Sequence, residues 1–215
     1  MIKKSRFEHR AKGFTILELL IATLVFSVVL MLVTAGILQM AKVYYKGVTE
    51  SNTQNTARAI IDTISQAIQF SGGDVTATAA SPAPNSNYAF CIGNTQYSYR
   101  LGWQVEDGST PSLNQTWHSL VQAPVSNCTS SSAPQNLTTQ VVNGRDLVGK
   151  HMRLSNLVVT PAGANSYKIQ VSVIYGDNDL LNNPTAANAS CKSATAGSQF
   201  CASMQLSTIV VKRVK

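Results

Sequence analysis

Lys12-Gly13-Phe14-Thr15-Ile16-Leu17-Glu18-Leu19-Leu20 joins two chemically opposed segments of a 215-residue chain. Ahead of it, residues 1–13 carry Lys3, Lys4, Arg6, Arg10 and Lys12 against Glu8, a charge of +4. Behind it, the 20 residues from Leu19 to Leu38 hold no charged side chain. Coiled as a helix, that run rises about 30 Å, the thickness of a bilayer's hydrocarbon core. Basic residues upstream, with only Lys42 and Lys46 close downstream, predict a cytoplasmic N-terminus and export of the remainder. A cleaved secretory signal has an apolar core of about 7–15 residues followed by a small-residue cleavage site. This run is longer, and no such site follows it.

The rest of the composition agrees with a membrane-tethered, exported chain. Charged residues make up 13% of the sequence, against about 25% in an ordinary soluble protein. Outside residues 1–13 there are twelve basic and nine acidic side chains, a net of only +3. A nucleic-acid-binding domain concentrates its basic charge on the folded part, so the overall pI of 9.4 is not a nucleic-acid footprint.

Glu18 is the informative exception in the apolar segment. A carboxylate at the centre of a membrane helix costs about 2.5–3.5 kcal/mol on insertion scales, and less near the interface. It lies four residues beyond Phe14, which itself follows Gly13. The string from Lys12 to Leu20 resembles the processing site of bacterial type IV prepilins and pseudopilins, and the likeness in character continues to about residue 40. The resemblance implies that prepilin peptidase, a membrane aspartyl peptidase, cuts between Gly13 and Phe14. It further implies N-methylation of the new terminal Phe14 and a role in assembly for Glu18. The fold it implies is α+β and pilin-like: a long N-terminal helix, membrane-spanning in its first half, packed on an antiparallel β-sheet. The implied partners are other pilin or pseudopilin subunits, the peptidase, an inner-membrane assembly platform and the membrane itself. No catalytic residue, metal or cofactor is implied, and no nucleic acid. The implied location is the bacterial inner membrane, single-pass with the N-terminus cytoplasmic, and then a pilus or pseudopilus.

A physical account stands beside the resemblance. Cleavage creates an α-amine with a pKa near 7.7–8 in apolar surroundings. Glu18 of a neighbouring subunit would neutralise it, turning two isolated charges into a pair. That pairing sets register in a head-to-tail assembly that does not close, which is how filaments arise.

The helix is expected to continue past the membrane. Ala57, Ile60, Ile61, Ile64, Ala67 and Ile68 recur at helical spacing, with Arg58, Asp62, Ser65 and Gln66 between them. A single helix over residues 14–70 would reach roughly 85 Å. Gly36 and Gly47 are points of weakness, with two helices broken near Gly47 as the alternative. Ser71-Gly72-Gly73 is a stop signal. The organisation is therefore a leader over 1–13, an apolar helix over 14–40, its amphipathic continuation over 41–73 and an exported β-rich domain over 74–215. In that last part, residues 77–87 and 126–135 read as loops. Strands are expected at Tyr88–Ile92, Gln96–Val105, Met152–Thr160, Tyr167–Tyr175 and Met204–Val211. Tyr167, Ile169, Val171, Val173 and Tyr175 alternate with mostly polar residues, the period of a strand buried on one face.

Cys91, Cys128, Cys191 and Cys201 all lie on the exported side. An even count in an oxidising compartment reads as disulfides, with three possible connectivities. Sequential pairing is the expectation, worth roughly 3–4 and 2.5–3 kcal/mol by loop entropy. Metal binding by the same residues is disfavoured, because no Cys-x-x-Cys occurs and His118 and His151 are not at ligand spacing. Gly144-Arg145-Asp146-Leu147-Val148-Gly149-Lys150 begins like a phosphate-binding loop, but His151 replaces the Ser or Thr that holds magnesium, and it reads as a turn. Asp177-Asn178-Asp179 opens like a calcium loop without the Gly and Glu that complete one. The block from Cys191 to Thr208 resembles the tail of PilW-type minor pilins and of the related J-type, PulJ-like pseudopilins. Competing readings are a signal-anchored exported enzyme or binding protein, and a DNA-binding competence-pilus subunit using Arg145, Lys150 and Arg153.

Overall fold

The computed structural model describes residues 13–79, 82–83, 86–184, 189–193 and 195–214. The basic leader as far as Lys12 lies outside these residues, as do positions 80, 81, 84 and 85 of the expected 77–87 loop. The chain divides into two units, Met1–Val43 and Tyr44–Lys215.

One helix, α1, runs unbroken over Ile16–Phe70, 55 residues. Gly36 and Gly47 do not interrupt it, and a Cβ at either would meet nothing within 4 Å. Their propensity penalty of about 1 kcal/mol each is outweighed by the hydrogen-bond ladder on both sides. The helix stops where Gly72 and Gly73 follow it. Ser71 N–H closes the last turn on Ala67 O at 2.9 Å. A Cβ on Gly73 would collide with the backbone of Gly93, so glycine there lets the helix exit cross the first hairpin.

In the first unit the helix has no buried face. Every described residue from Gly13 to Met40 is exposed. In the second unit the same helix is one-sided: Thr49, Thr53, Ala57, Ile60, Ile61, Ile64 and Ile68 are buried, at spacings of three and four that line up on one stripe. The two threonines belong there because their hydroxyls bond back one turn, Thr49 to Tyr45 O and Thr53 to Thr49 O, both at 2.8 Å. Fully buried Ile60, Ile64 and Ile68 each withdraw roughly 1.5–3 kcal/mol of side chain from water.

The strands are β1 (Tyr88–Ile92), β2 (Thr95–Tyr99), β3 (Gln104–Val105), β4 (Gln115–Thr116), β5 (Leu120–Pro124), β6 (Arg145–Asp146), β7 (Met152–Gly163), β8 (Ser166–Tyr175), β9 (Leu181–Asn182), β10 (Ser190–Cys191) and β11 (Ala202–Val211). They form a four-stranded sheet ordered β1-β2-β5-β6, a five-stranded sheet ordered β11-β8-β7-β3-β4, and the pair β10-β9. Among the described residues the strand pairings are antiparallel except for the short β3–β4 pair. One core joins the helix stripe to both larger sheets, through Phe90, Tyr97 and Tyr99 on one and Leu154, Leu157, Ile169 and Val171 on the other. The α+β architecture, a long helix on antiparallel-rich sheet, is thus observed.

Several local expectations are corrected. The strand expected over Gln96–Val105 is two strands in different sheets. Gly102, at φ 76°, turns the chain between them and donates to Leu154 O at 2.8 Å. The gap expected between Thr160 and Tyr167 shrinks to Ala164-Asn165, because β7 runs on to Gly163 and β8 starts at Ser166, with Asn165 at φ 56°. The stretch expected as a turn from Gly144 contains β6, which pairs with β5. In β7 a bulge between Leu154 and Asn156 shifts the alternation by one residue. Leu154 and Leu157 therefore both reach the core despite their odd separation.

Candidate functional site

The N-terminal motif is set up by a helix start. Thr15 is the residue before α1, and its Oγ1 accepts from Glu18 N–H at 3.2 Å. Leu19 N–H then donates to Thr15 O at 3.2 Å, the first turn of the ladder. Thr15-Ile16-Leu17-Glu18 is the Ser/Thr-x-x-Glu pattern of a capping box, a signal present in the sequence but eclipsed there by the family resemblance. Glu18 also stands in the first turn, where a carboxylate complements the positive end of the helix dipole. Gly13 has open space around it and Phe14 is 78% exposed, so among the described residues of its own unit nothing shields the bond between them.

The apolar run after Glu18 is exposed on all sides, yet its few polar groups are already satisfied. Thr23 Oγ1 donates to Leu20 O at 3.0 Å, Ser27 Oγ to Thr23 O at 2.8 Å and Thr34 Oγ1 to Leu30 O at 2.7 Å. Each hydroxyl is closed inside the helix and asks nothing of its surroundings. A helix apolar all round with internally closed hydroxyls suits lipid or the core of a multi-subunit assembly. By length and composition it is sufficient to cross a membrane.

In the second unit Cys91 is joined to Cys128 and Cys191 to Cys201, and no described cysteine is free. The first bridge ties β1 to the loop after β5. The second closes a ten-residue separation directly ahead of β11. It covers a small second cluster on the far side of β8, where Ile174 packs with Leu180, Leu181 and Cys201.

The remaining candidates separate rather than converge. Arg153, grouped by sequence with Arg145 and Lys150, is fully buried. Its guanidinium donates to Pro184 O at 2.7 Å, Gly176 O at 3.0 Å and Gln104 Oε1 at 3.2 Å. Burial pushes its pKa down to about 10, against a pull upward from Asp177, so it stays charged at neutral pH. Lys150 is engaged by Asp107. The three therefore do not form one basic surface. Asp177 Oδ1 accepts from Gln104 Nε2 at 2.7 Å, while Lys192 Nζ donates to the Asp179 carbonyl at 2.7 Å. Among the described residues no group of three or more His, Cys, Asp or Glu side chains converges as for a metal. His118 has Nδ1 2.9 Å from Asp146 Oδ2. Burial raises the Asp146 carboxyl above its ordinary range, opposed by bonds from Val148 N–H and His118. No nucleophile stands beside this pair among the hydrogen-bonded partners of His118, which are Asp146, Gln140 O and Leu137 O.

Residues 9–34 match the family model for the prokaryotic N-terminal methylation motif. The match covers Gly13, Phe14 and Glu18 together with most of the uncharged run. It supports a type IV pilin-like N-terminus over these residues. No curated protein and no solved structure matches the chain.

Proposed function

We propose that this chain is a structural subunit, a minor pilin or pseudopilin of the PilW/PulJ-like type, of a type IV pilus or a type II secretion filament. The observation that carries the reading is the methylation-motif match over residues 9–34, on a helix that buries nothing of its apolar run within its own unit. Prepilin peptidase removes residues 1–13 by cutting between Gly13 and Phe14, and the new N-terminal Phe14 is methylated. Residues 14–40 span the inner membrane with the N-terminus cytoplasmic, and the domain from residue 74 lies outside. An assembly platform then moves the subunit into a filament, where lipid around the apolar helix is exchanged for the helices of neighbouring subunits. Glu18 of one subunit neutralises the Phe14 amine of the next. The transfer is favourable because both environments are apolar, and only in the filament does each charge gain an opposite partner.

Intact-mass analysis of membrane-extracted protein tests the reading. The expected species begins at Phe14 and carries one additional methyl group, and it depends on the peptidase. A chain that keeps Met1–Gly13 in peptidase-competent cells would overturn the proposal and favour a signal-anchored exported protein.

A further inference from the structure

Tyr44 and Tyr45 follow Leu38, where the apolar run gives way to Gln39, by six and seven residues of α1, roughly 9–11 Å of helical rise. A bilayer with a core of about 30 Å measures about 40–45 Å with its headgroups, so each headgroup layer is about 5–8 Å deep. Helical side chains lean toward the N-terminus. The two rings therefore reach back into the headgroup layer, where tyrosine concentrates in membrane proteins. Both are open to it: Tyr44 is 69% and Tyr45 50% exposed.

A third aromatic ring joins them from far away in the chain. Phe200, in the loop closed by Cys191–Cys201, packs on Tyr45 with ring centroids 5.5 Å apart, and Tyr45 meets Tyr44 at 5.9 Å. Phe200 stays 43% exposed and is not part of the small cluster beneath its own loop. The loop is fixed at this place by Lys46, whose Nζ donates to Cys201 O at 2.6 Å and pairs with Glu50 at 3.3 Å. We propose that Tyr44, Tyr45 and Phe200 form one aromatic patch that seats the Cys191–Cys201 loop on the outer headgroup layer of the bilayer that α1 spans. The occupant is lipid because the bilayer is tethered to the patch through the same helix. At the effective concentration such a tether creates, even a weak interfacial preference of three rings is enough. Extraction into a filament would then lift this loop from lipid and free the same rings for a neighbouring subunit. The inference rests on the spanning reading of α1.

The test uses the full chain in phosphatidylcholine–phosphatidylglycerol vesicles. Phe200→Trp, in a Trp103→Phe/Trp117→Phe background, is excited in the presence of lipid spin-labelled at the headgroup. Phe26→Trp in the same background, with lipid labelled deep in the acyl chain, reports insertion of α1. The expected result is a loss of emission from both tryptophans. Loss at position 26 without loss at position 200 overturns the patch and leaves the spanning reading standing. Loss at neither position overturns both. If the substituted background does not fold, hydrogen exchange on the wild-type chain decides instead. Amides of residues 195–200 should exchange at least about threefold more slowly in vesicles than in amphipol, and equal rates would overturn the patch.

Discussion

Replacing Glu18 by glutamine separates the local role of this residue at the helix start from the assembly role proposed for it. The first is local: the Thr15 hydroxyl accepts from Glu18 N–H at 3.2 Å, and Glu18 holds the third helical position of a capping box. Glutamine serves that position as well as glutamate does. The change therefore removes only the dipole interaction of a charged group, about 0.3–1 kcal/mol. The second role is in the assembly, where loss of one partner of a buried charge pair costs about 3–5 kcal/mol. Glu18→Gln should thus be processed, inserted and helical, yet enter filaments roughly 10²–10⁴-fold less readily. Glu18→Leu keeps the backbone bond to Thr15 but loses the dipole interaction and the charge, so it should assemble no better, although it relieves the cost of inserting a carboxylate. Glu18→Asp should be intermediate, with the charge kept on a shorter reach. Thr15→Ala removes the cap acceptor, typically about 1 kcal/mol, but keeps the charge, so its incorporation should stay within about tenfold of wild type. The assay is recovery of each variant in sheared filaments relative to its membrane pool, or the number of filaments if the subunit primes assembly. Circular dichroism of the solubilised variants serves as the control. Wild-type incorporation of Glu18→Gln would refute the pairing account and leave Glu18 as a helix-capping residue. An equal defect in Thr15→Ala would show that the cap, not the charge, is what assembly requires.

Other consequences concern the folded unit. Ile64→Ala, at a position with no exposure on the buried stripe of α1, should cost about 2–5 kcal/mol, read as a lower urea midpoint of the solubilised chain. Gly144→Ala should cost at least about 1–3 kcal/mol, because Gly144 sits at φ 140° and a Cβ there would strike Gln122 O and the side chain of Val121; a thermal midpoint equal to wild type would count against it. Non-reducing peptide mapping should recover Cys91 with Cys128 and Cys191 with Cys201, and a Cys128–Cys191 peptide would contradict the structure. The buried Asp146 carboxyl holds its proton more tightly in the folded state than at the ordinary 3.8. Its contribution to stability is therefore present below that value and is lost as the pH rises through the folded pKa. Asp146→Asn should remove this slope, seen in urea midpoints taken from about pH 3.5 to 6.

Much of this molecule was legible in one dimension because its decisive interactions are local. Charge asymmetry, an uncharged run of bilayer length and the Gly13-Phe14 step before Glu18 all lie within 38 residues. The stripe of Ala57, Ile60, Ile61, Ile64 and Ile68 was visible because a helix repeats every 3.6 residues, whatever it packs against. The alternation in β8 was visible for the same kind of reason, with period two. Strand β5 was not, because Leu120–Pro124 is five residues with a polar Gln122 in the middle. Only its pairing with β2 on one side and β6 on the other makes it a strand.

The sequence by itself determined the N-terminal helix, its apolar and one-sided halves and the capping pattern at its start, since each depends on neighbours a few residues apart. Only the tertiary structure decided where distant groups meet. Arg153 read as surface charge until Gln104, Gly176 and Pro184 closed around it. The single strand expected from Gln96 to Val105 was split between two sheets by the turn at Gly102. Phe200 came to rest on Tyr45, across 155 residues of sequence, as Lys46 did on Cys201. Contacts of that kind depend on how sheets and loops close in space. No periodicity or spacing along the chain encodes that closure.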